Sequence, residues 1–533
     1  MSNPRQPFRF IYEGEWNDIP CVDYPLTPEK WASETIRPLV NTQVDCLFYN
    51  LCSSDGFVCE LESGQLLMDN FEKLGDAWVW RYRENTKRMI AEGANPPDLA
   101  VKHGRALGLK IAPVVRMNDH HDQWFMYEAS DYKLKNPHLL IGHGKYMDWE
   151  RGSYAHPDRS TVDSFTWSMF DFAHEEVRKH RLRIIEEFLT RWDNDGISLD
   201  FDRAPWFFQE EGRQQDADLM TDLVREVRRI ADEQAKRRGH PMFLHVGVLP
   251  GIETSLKRGM DVRAWVEEGL VDAITPGSGY MPLTLDLEPW LKLVEGRPCW
   301  VYPSNNHWKQ TEVTRAWAKL MWQRGAHGLY LFNWGHLLFG FDRHTPPQAE
   351  RLGTVWLDEL HPDYYQALLE IGDPNLVAYK DTVYDLESVP HEKINDMEGE
   401  NLRHFRGIKA IELPIELSVG THTVQLPFAE DLKGAAARGF DPQITLRLKL
   451  RQYTAPDDFD VSLNGILLDP ATRRSRAAFI MNNDTWMEYP IPDLGRLSQE
   501  GNELTFTVRS LNSQMDVAPS VENLELVVRY PGT

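Results

Sequence analysis

The 533-residue sequence predicts an α/β fold, a (β/α)8 TIM barrel, followed by a C-terminal all-β sandwich of jelly-roll type. Three observations lead there. Up to about residue 372, short β-branched and aromatic runs alternate with amphipathic helical stretches, as βα units around a parallel sheet do. Eight such runs occur, the number that closes a barrel. Beyond that point the helical period gives way to two-residue alternation broken by turn signals.

In chain order the predicted strands are Phe8 to Glu13, Val44 to Asn50, Leu109 to Asn118, Gly196 to Arg203, Phe243 to Leu249, Asp272 to Ser278, Cys299 to Asn305 and Gly328 to Trp334. Predicted helices cover Thr27 to Val40, His174 to Trp192, Asp216 to Arg238, Val262 to Gly269, Leu287 to Glu295 and Glu312 to Arg324. A parallel barrel places its chemistry at the C-terminal strand ends, and polar residues gather there. Glu13 closes the first run, Tyr49 and Asn50 the second, Arg116 and Asn118 the third, Asp200 and Asp202 the fourth. His245 sits within the fifth; Thr275 and Ser278 end the sixth, Tyr302, Ser304 and Asn305 the seventh, Asn333 and Trp334 the eighth.

Residues 1–372 are therefore expected to form the barrel, with long insertions at 51–108 and 119–171. Both far exceed the roughly two to six residues of an ordinary βα loop, and long loops at this end usually build the cleft. The second carries Trp124, Tyr127, Tyr132, Tyr146, Trp149, Tyr154 and Trp167, rings that either stack on sugar faces or form a small accessory core. Residues 373–533 are expected to form the sandwich, on alternating runs such as Gln443 to Leu450, Phe459 to Leu463 and Leu504 to Val508, with Asn464-Gly465 as a turn. Such a module either binds carbohydrate or braces the barrel.

A formal net charge of −23 argues against nucleic acid or an anionic membrane as partner, since both need a basic surface. A neutral carbohydrate fits better, and 18 tryptophans supply rings suited to stacking on it. The five cysteines form no C-x-x-C pair and read as reduced thiols. The first residues lack the apolar core of a signal peptide, and no run approaches the length of a membrane span, so a cytoplasmic location is expected. No P-loop, dinucleotide fingerprint or G-x-S-x-G elbow occurs, and no cofactor is expected.

The most informative stretch is Asp195-Gly-Ile-Ser-Leu-Asp-Phe-Asp-Arg203, followed by Pro205-Trp206-Phe207-Phe208. In an extended chain Ser198, Asp200 and Asp202 share one face, with the two aspartates about 6.6 Å apart along the backbone. Shielded carboxylates at that spacing raise each other's proton affinity, a way to prepare an acid for work near neutral pH. The alternative is a solvated strand end whose aspartates cap the next helix. Because neighbours on one strand tend to lie on the same side of a bound sugar, Asp119 and Glu13 stand as alternative partners. Arg203 and Arg116 are placed either to hold a carboxylate ionised or to clamp an acidic sugar.

Asn118-Asp-His-His-Asp122 has neither H-x-H nor H-E-x-x-H spacing, so no metal site is expected, and His120 or His121 is assigned to substrate hydroxyls. His245 reads either as a satisfied barrel histidine or as a ligand. The remaining substrate-contact candidates are Tyr49, Asn50, Asn118, Trp206, Tyr302, Asn305, Asn333 and Trp334.

The fourth run resembles the strand motif D-G-x-D-x-D-x-E of chitinase-type family 18 glycoside hydrolases, matching at Asp195, Gly196 and Asp200. It departs where that family has its first central aspartate, here Ser198, and where it has the catalytic glutamate, here Asp202. The closing strand, Gly328-Leu-Tyr-Leu-Phe-Asn-Trp-Gly335, is similar to that of many glycosidase-like barrels, in which a tryptophan in the place of Trp334 floors the sugar site. The resemblance implies a glycoside hydrolase, with Asp200 as nucleophile or electrostatic stabiliser and Asp202 as acid. A glycan-binding barrel without catalysis and a metal-dependent hydrolase are the alternatives.

Overall fold

The computed structural model describes residues 6–16, 24–123, 126–143, 147–148, 153–154, 166–277, 283, 285–305, 311–334, 362–387, 413–477 and 483–531. Its first part is built on parallel strands β1 (Phe10–Glu15), β2 (Cys46–Asn50), β3 (Lys110–Arg116), β4 (Gly196–Asp200), β5 (Phe243–Val248), β6 (Ala273–Pro276), β7 (Trp300–Val301), β8 (Ser304–Asn305) and β9 (Leu329–Leu331). They pair in the order β7-β6-β5-β4-β3-β2-β1-β9-β8. The strands at the two ends of this order are consecutive in the chain, separated only by Tyr302 and Pro303. Segment 300–305 is thus bonded to β6 on one side and to β9 on the other: Tyr302 N donates to Ile274 O (2.9 Å) and Tyr330 N to Pro303 O (3.0 Å). This connectivity is consistent with a TIM-like barrel.

Helices lie between the strands for local reasons. In α1 (Pro28–Thr35) Thr27 caps Lys30 N and proline opens the first turn, where its missing N–H costs nothing. Insertion 51–108 contains two helices that the sequence reading does not assign, α2 (Ala77–Ala91) and α3 (Pro96–Ala106). Pro96 and Pro97 stand at the start of α3, the helical positions that tolerate proline. The long α4 (Glu175–Arg191) and α5 (Gln214–Arg238) bury their apolar stripes, and α5 stops at Gly239, whose φ of 76° supplies a left-handed cap. Farther on, α6 (Val262–Glu267), α7 (Glu288–Val294) and α8 (Thr311–Gln323) separate the last strands.

The floor of the barrel repeats one device on every second strand. Asp45, Asp195, Asp272 and His327 each stand just before a small inward residue, Cys46, Gly196, Ala273 and Gly328. Each accepts the backbone N–H of the preceding strand: Asp45 from Arg9 and Phe10 (both 2.8 Å), Asp195 from Ile111 (3.0 Å), Asp272 from Leu244 (2.8 Å), and Nδ1 of His327 from Val301 (3.0 Å). Burial lowers the His327 pKa, which keeps the ring neutral and able to accept. The intervening strands contribute Phe8, Phe243, Trp300 and Tyr302, whose rings fill the space left by the small residues. A Cβ on Gly196 would lie 2.3 Å from Phe243 O.

The second part contains β10 (Thr382–Glu387), β11 (Ile415–Glu416), β12 (Gly420–Leu426), β13 (Gln443–Arg451), β14 (Asp458–Leu463), β15 (Ile466–Leu467), β16 (Arg474–Ala477), β17 (Asp484–Pro490), β18 (Asn502–Ser510) and β19 (Ser520–Arg529). Two antiparallel sheets result, β10-β19-β13-β17-β16 with β11 on β19, and β12-β18-β14-β15. Alternation is strict: Ile444, Leu446, Leu448 and Leu450 of β13 share an apolar cluster with Phe459, Val461 and Leu463 of β14. Helix α8 packs on β10, and Lys319 reaches a buried Glu430 (2.8 Å) that also accepts from Thr382, Tyr384 and Tyr530. Among the described residues, no helix is long and apolar enough to cross a membrane, and Cys46, Cys52, Cys59 and Cys299 are free and buried.

Gly196→Ala is expected to destabilise the protein by about 1–3 kcal/mol, because its methyl group meets backbone of β5 rather than a movable side chain. Urea denaturation checks it; an unchanged midpoint would show that the two strands separate at no cost.

Candidate active site

A histidine bridge lies above the aromatic floor. Ser198 Oγ is 2.8 Å from Nδ1 of His245, and Nε2 is 2.8 Å from Thr275 Oγ1. The ring lies against Phe48 and Tyr330, and burial drives its pKa down to about 3. With both nitrogens engaged by strand side chains, His245 ties β4, β5 and β6 together as a hydrogen-bonded barrel histidine, the first of its two readings, and not as a substrate contact.

The next layer is charged. Glu13, inward on β1, accepts from Asn50 Nδ2 (3.3 Å) and bonds the hydroxyl of Tyr330 on β9. Burial, with the Asp200 and Glu15 charges adding to it, pushes its carboxyl up to about 8, although Tyr330 and Arg116 oppose this. Glu15, two residues on, pairs with Arg116 at the end of β3. Arg116 is fully buried and reaches Asp119 through its other arm (3.1 Å). Burial alone would raise Asp119, but His121, Arg116 and Arg203 hold it well below the ordinary carboxylate range. Asp119 Oδ1 also accepts backbone N–H groups of His120 (2.6 Å) and His121 (3.0 Å) and bonds His121 Nδ1. Nη2 of Arg203 donates to His121 Nε2 (2.6 Å), completing a chain from β1 to the turn after β4.

That turn corrects one geometric expectation. Strand β4 ends at Asp200, so Asp202 lies beyond it and not on the same extended face. The chain folds back so that N–H groups of Asp202 (2.9 Å) and Arg203 (3.0 Å) both reach Asp200 Oδ1. Oδ2 of Asp200 is buried and accepts no hydrogen bond among the described residues. Burial and the neighbouring Asp202 charge push the Asp200 carboxyl up to about 6, against the pull of Arg116 and the two backbone donors. The first aspartate of the motif acts elsewhere, since Asp195 binds Ile111 N and Lys110 Nζ (2.9 Å) at the opposite end of the strand.

Glu13, Asn50, Arg116, Asp119, Asp200, Asp202 and Arg203 thus come together, with His120 stacked on His121 beside them. Other candidates are placed elsewhere. Tyr49 faces outward, stacked on Trp16 and donating to Asn194 Oδ1 (3.0 Å). Asn118 spends its amide on Phe170 and Trp206 backbone, clasping two loops. Tyr302 lies in the aromatic floor, donating to Phe8 O (2.7 Å). Trp206 is buried beneath the Arg258 guanidinium (4.7 Å), and Trp334 is fully buried in the apolar core, so neither presents an open ring. Asn305 and Asn333 are buried at the ends of their strands.

Of the insertion aromatics, Trp167 is buried, Tyr132 stacks on His180 and Tyr127 packs on Phe71; all three serve packing. Trp124, Tyr146, Trp149, the side chain of Tyr154, and Ser278 lie outside the described residues. Two members of the charged layer, Glu15 and Tyr330, are not singled out by the sequence reading. Period-two alternation from Glu13 and from Phe332 would have found both. Among the described residues, no group of three or more His, Cys, Asp or Glu is placed to hold a metal ion.

No family model matches the chain, and no curated protein matches it. The solved structures similar to it include glycoside hydrolases. The PgaB glycoside hydrolase domain of Bordetella bronchiseptica is 10% identical, with 66% of this chain and 99% of that one covered at a TM-score of 0.39. The β-amylase catalytic domain of Paenibacillus polymyxa is 9% identical, with 69% and 99% covered at 0.35. A chitinase of a Paenibacillus species is 10% identical at 0.35, covering 90% of this chain, which spans about half (52%) of the chitinase. Overlaps of this order leave the functional reading to the site itself.

Two outcomes are expected. Between about pH 4.5 and 8 the folded chain keeps a proton on Glu13 that the unfolded chain releases, so stability falls as pH rises through that window. Glu13→Gln, which mimics the protonated acid toward Asn50 and Tyr330, should flatten the curve and exceed wild type above pH 8 by up to about 5 kcal/mol. Parallel urea midpoints for the two proteins across that range would contradict it. Arg116→Met, which strands Glu15 and Asp119, should cost about 3–5 kcal/mol at neutral pH. That deficit should shrink in acid as the carboxylates take up protons; a deficit independent of pH would contradict the pairing.

Proposed function

We propose that this chain hydrolyses glycosidic bonds, with Asp200 as proton donor to the leaving oxygen and Asp202 as the neighbour that favours its protonated form. One observation carries the reading: Asp200 keeps Oδ2 uncommitted while burial and Asp202 hold its carboxyl protonated up to about pH 6. Cleavage of an unactivated glycoside needs such an acid, because an alkoxide is too poor a leaving group to depart unprotonated. The roles are thus reversed from those implied by the family resemblance, in which the position of Asp202 supplies the acid.

In this reading residues 1–372 form a complete (β/α)8 catalytic barrel, and residues 373–533 a sandwich that braces it. Packing of α8 on β10 and the buried Lys319–Glu430 pair support the bracing role. The substrate is a carbohydrate.

Leaving groups provide the test. Asp200→Asn should lower turnover of oligosaccharides by about 10²–10⁴-fold while sparing 4-nitrophenyl glycosides, whose phenolate departs with little protonation. In the wild type, turnover of unactivated substrates should decline as pH rises through about 6, the direction expected when the protonated form is active. Equal activity of wild type and variant on oligosaccharides would refute the assignment, as would the absence of turnover by the wild type across a broad glycoside panel. Calorimetric binding without product in that panel would identify a glycan-binding barrel instead.

A further inference from the structure

We propose that His121, held by Asp119, is the general base that activates water opposite Asp200; this rests on the hydrolytic reading above. Hydrolysis needs a second group besides the acid, and Asp119 itself is committed to Arg116, to two backbone N–H groups and to the imidazole. What the end of β3 presents toward the turn after β4 is therefore not that carboxylate but the imidazole it holds.

Asp119 fixes the ring through Nδ1, which directs Nε2 toward Arg203. A guanidinium has only donors, so the 2.6 Å contact marks where the Nε2 lone pair points. Arg203 is also the residue whose backbone N–H bonds Asp200 Oδ1 (3.0 Å), so one residue touches both the imidazole and the acid. In the proposed step a water takes the place of the guanidinium on Nε2. His121 keeps partial exposure, 14% of its side chain, whereas Asp119 has none.

The step balances. Nε2 takes a proton from water as its oxygen bonds the anomeric carbon, the glycosidic C–O bond breaks, and the leaving oxygen takes the Asp200 proton. The imidazolium and the Asp200 carboxylate then return to their starting forms through solvent. Among the described residues, the charged and titratable groups against the ring include Asp119 from beyond β3, the stacked His120, and Arg203 from the turn after β4. Asp119 is a positioning residue in this scheme.

Leaving-group dependence separates base from acid. His121→Ala should lower kcat at least about 10²-fold on 4-nitrophenyl glycosides and oligosaccharides alike, remove the acid-side limb of the pH profile, and regain at least about tenfold with added imidazole. His121→Gln provides a second variant if the alanine protein melts early by circular dichroism, and it should lose the same limb. Asp119→Asn should lower kcat without abolishing it and shift that limb. If both His121 variants keep wild-type kcat while Asp200→Asn loses oligosaccharide cleavage, the base assignment falls and the hydrolase reading stands. A loss of kcat that imidazole does not restore, with the acid limb intact, makes His121 structural and overturns the proposal. Indifference of turnover to both His121 and Asp200 overturns both readings.

Discussion

Arg116 is the residue around which the charged half of the barrel is organised. A guanidinium with no exposed surface joins Glu15 on the first strand to Asp119 beyond the third. Without it, two desolvated carboxylates would lose the cation they share, a situation that proteins avoid by pairing or by protonation. The layer uses both remedies. Five carboxylates, Glu13, Glu15, Asp119, Asp200 and Asp202, face two guanidinium groups among the described residues, Arg116 and Arg203. Arg116 satisfies Glu15 and Asp119 directly. The charge deficit then falls on Glu13 and Asp200, whose carboxyls are the ones pushed up. At Asp200 burial and the neighbouring Asp202 charge outweigh the pull of Arg116, and a proton donor near neutral pH results.

Vertical order in the barrel makes this possible. Aromatic rings from one set of strands fill the floor against small residues from the other set, and side-chain acceptors lock the strand starts. His245 spans the middle as a neutral bridge. Burial is the largest influence on both Glu13 and Asp200. The motif Asp195-Gly196-Ile-Ser-Leu-Asp200 spans this whole height. Its first aspartate clamps a strand start, its glycine admits the β5 backbone, its serine anchors the bridge, and its last aspartate forms the turn at the mouth.

Strand order and the cluster at the fourth strand end were legible because two-residue alternation and polar strand ends survive in a single sequence. What failed was direction. Tyr49 and Asn50 are neighbours, yet one faces the helices and the other the barrel, a distinction that hangs on register alone. Asn118 and Trp206 lie just beyond strand ends, where period-two reasoning stops and loop packing decides. Tyr302 faces inward at the wrong height, because a strand's start and end look alike until its neighbours' stagger is known. Asp200 and Asp202 were rightly grouped, but the backbone turn that assigns one oxygen to structure and leaves the other uncommitted has no sequence signature of its own.

The acid chemistry rests on Asp200 carrying its proton far above the ordinary aspartate range. Infrared difference spectra of the carboxyl stretch, recorded through a pH titration of wild type and Asp200→Asn without any substrate, read that proton directly. Beside the Glu13 band, which persists to about pH 8, a second protonated-carboxyl signal should be lost in the wild type with a midpoint of about 6 and be missing from the variant. Superimposable titrations of the two proteins at and above pH 5 would contradict it.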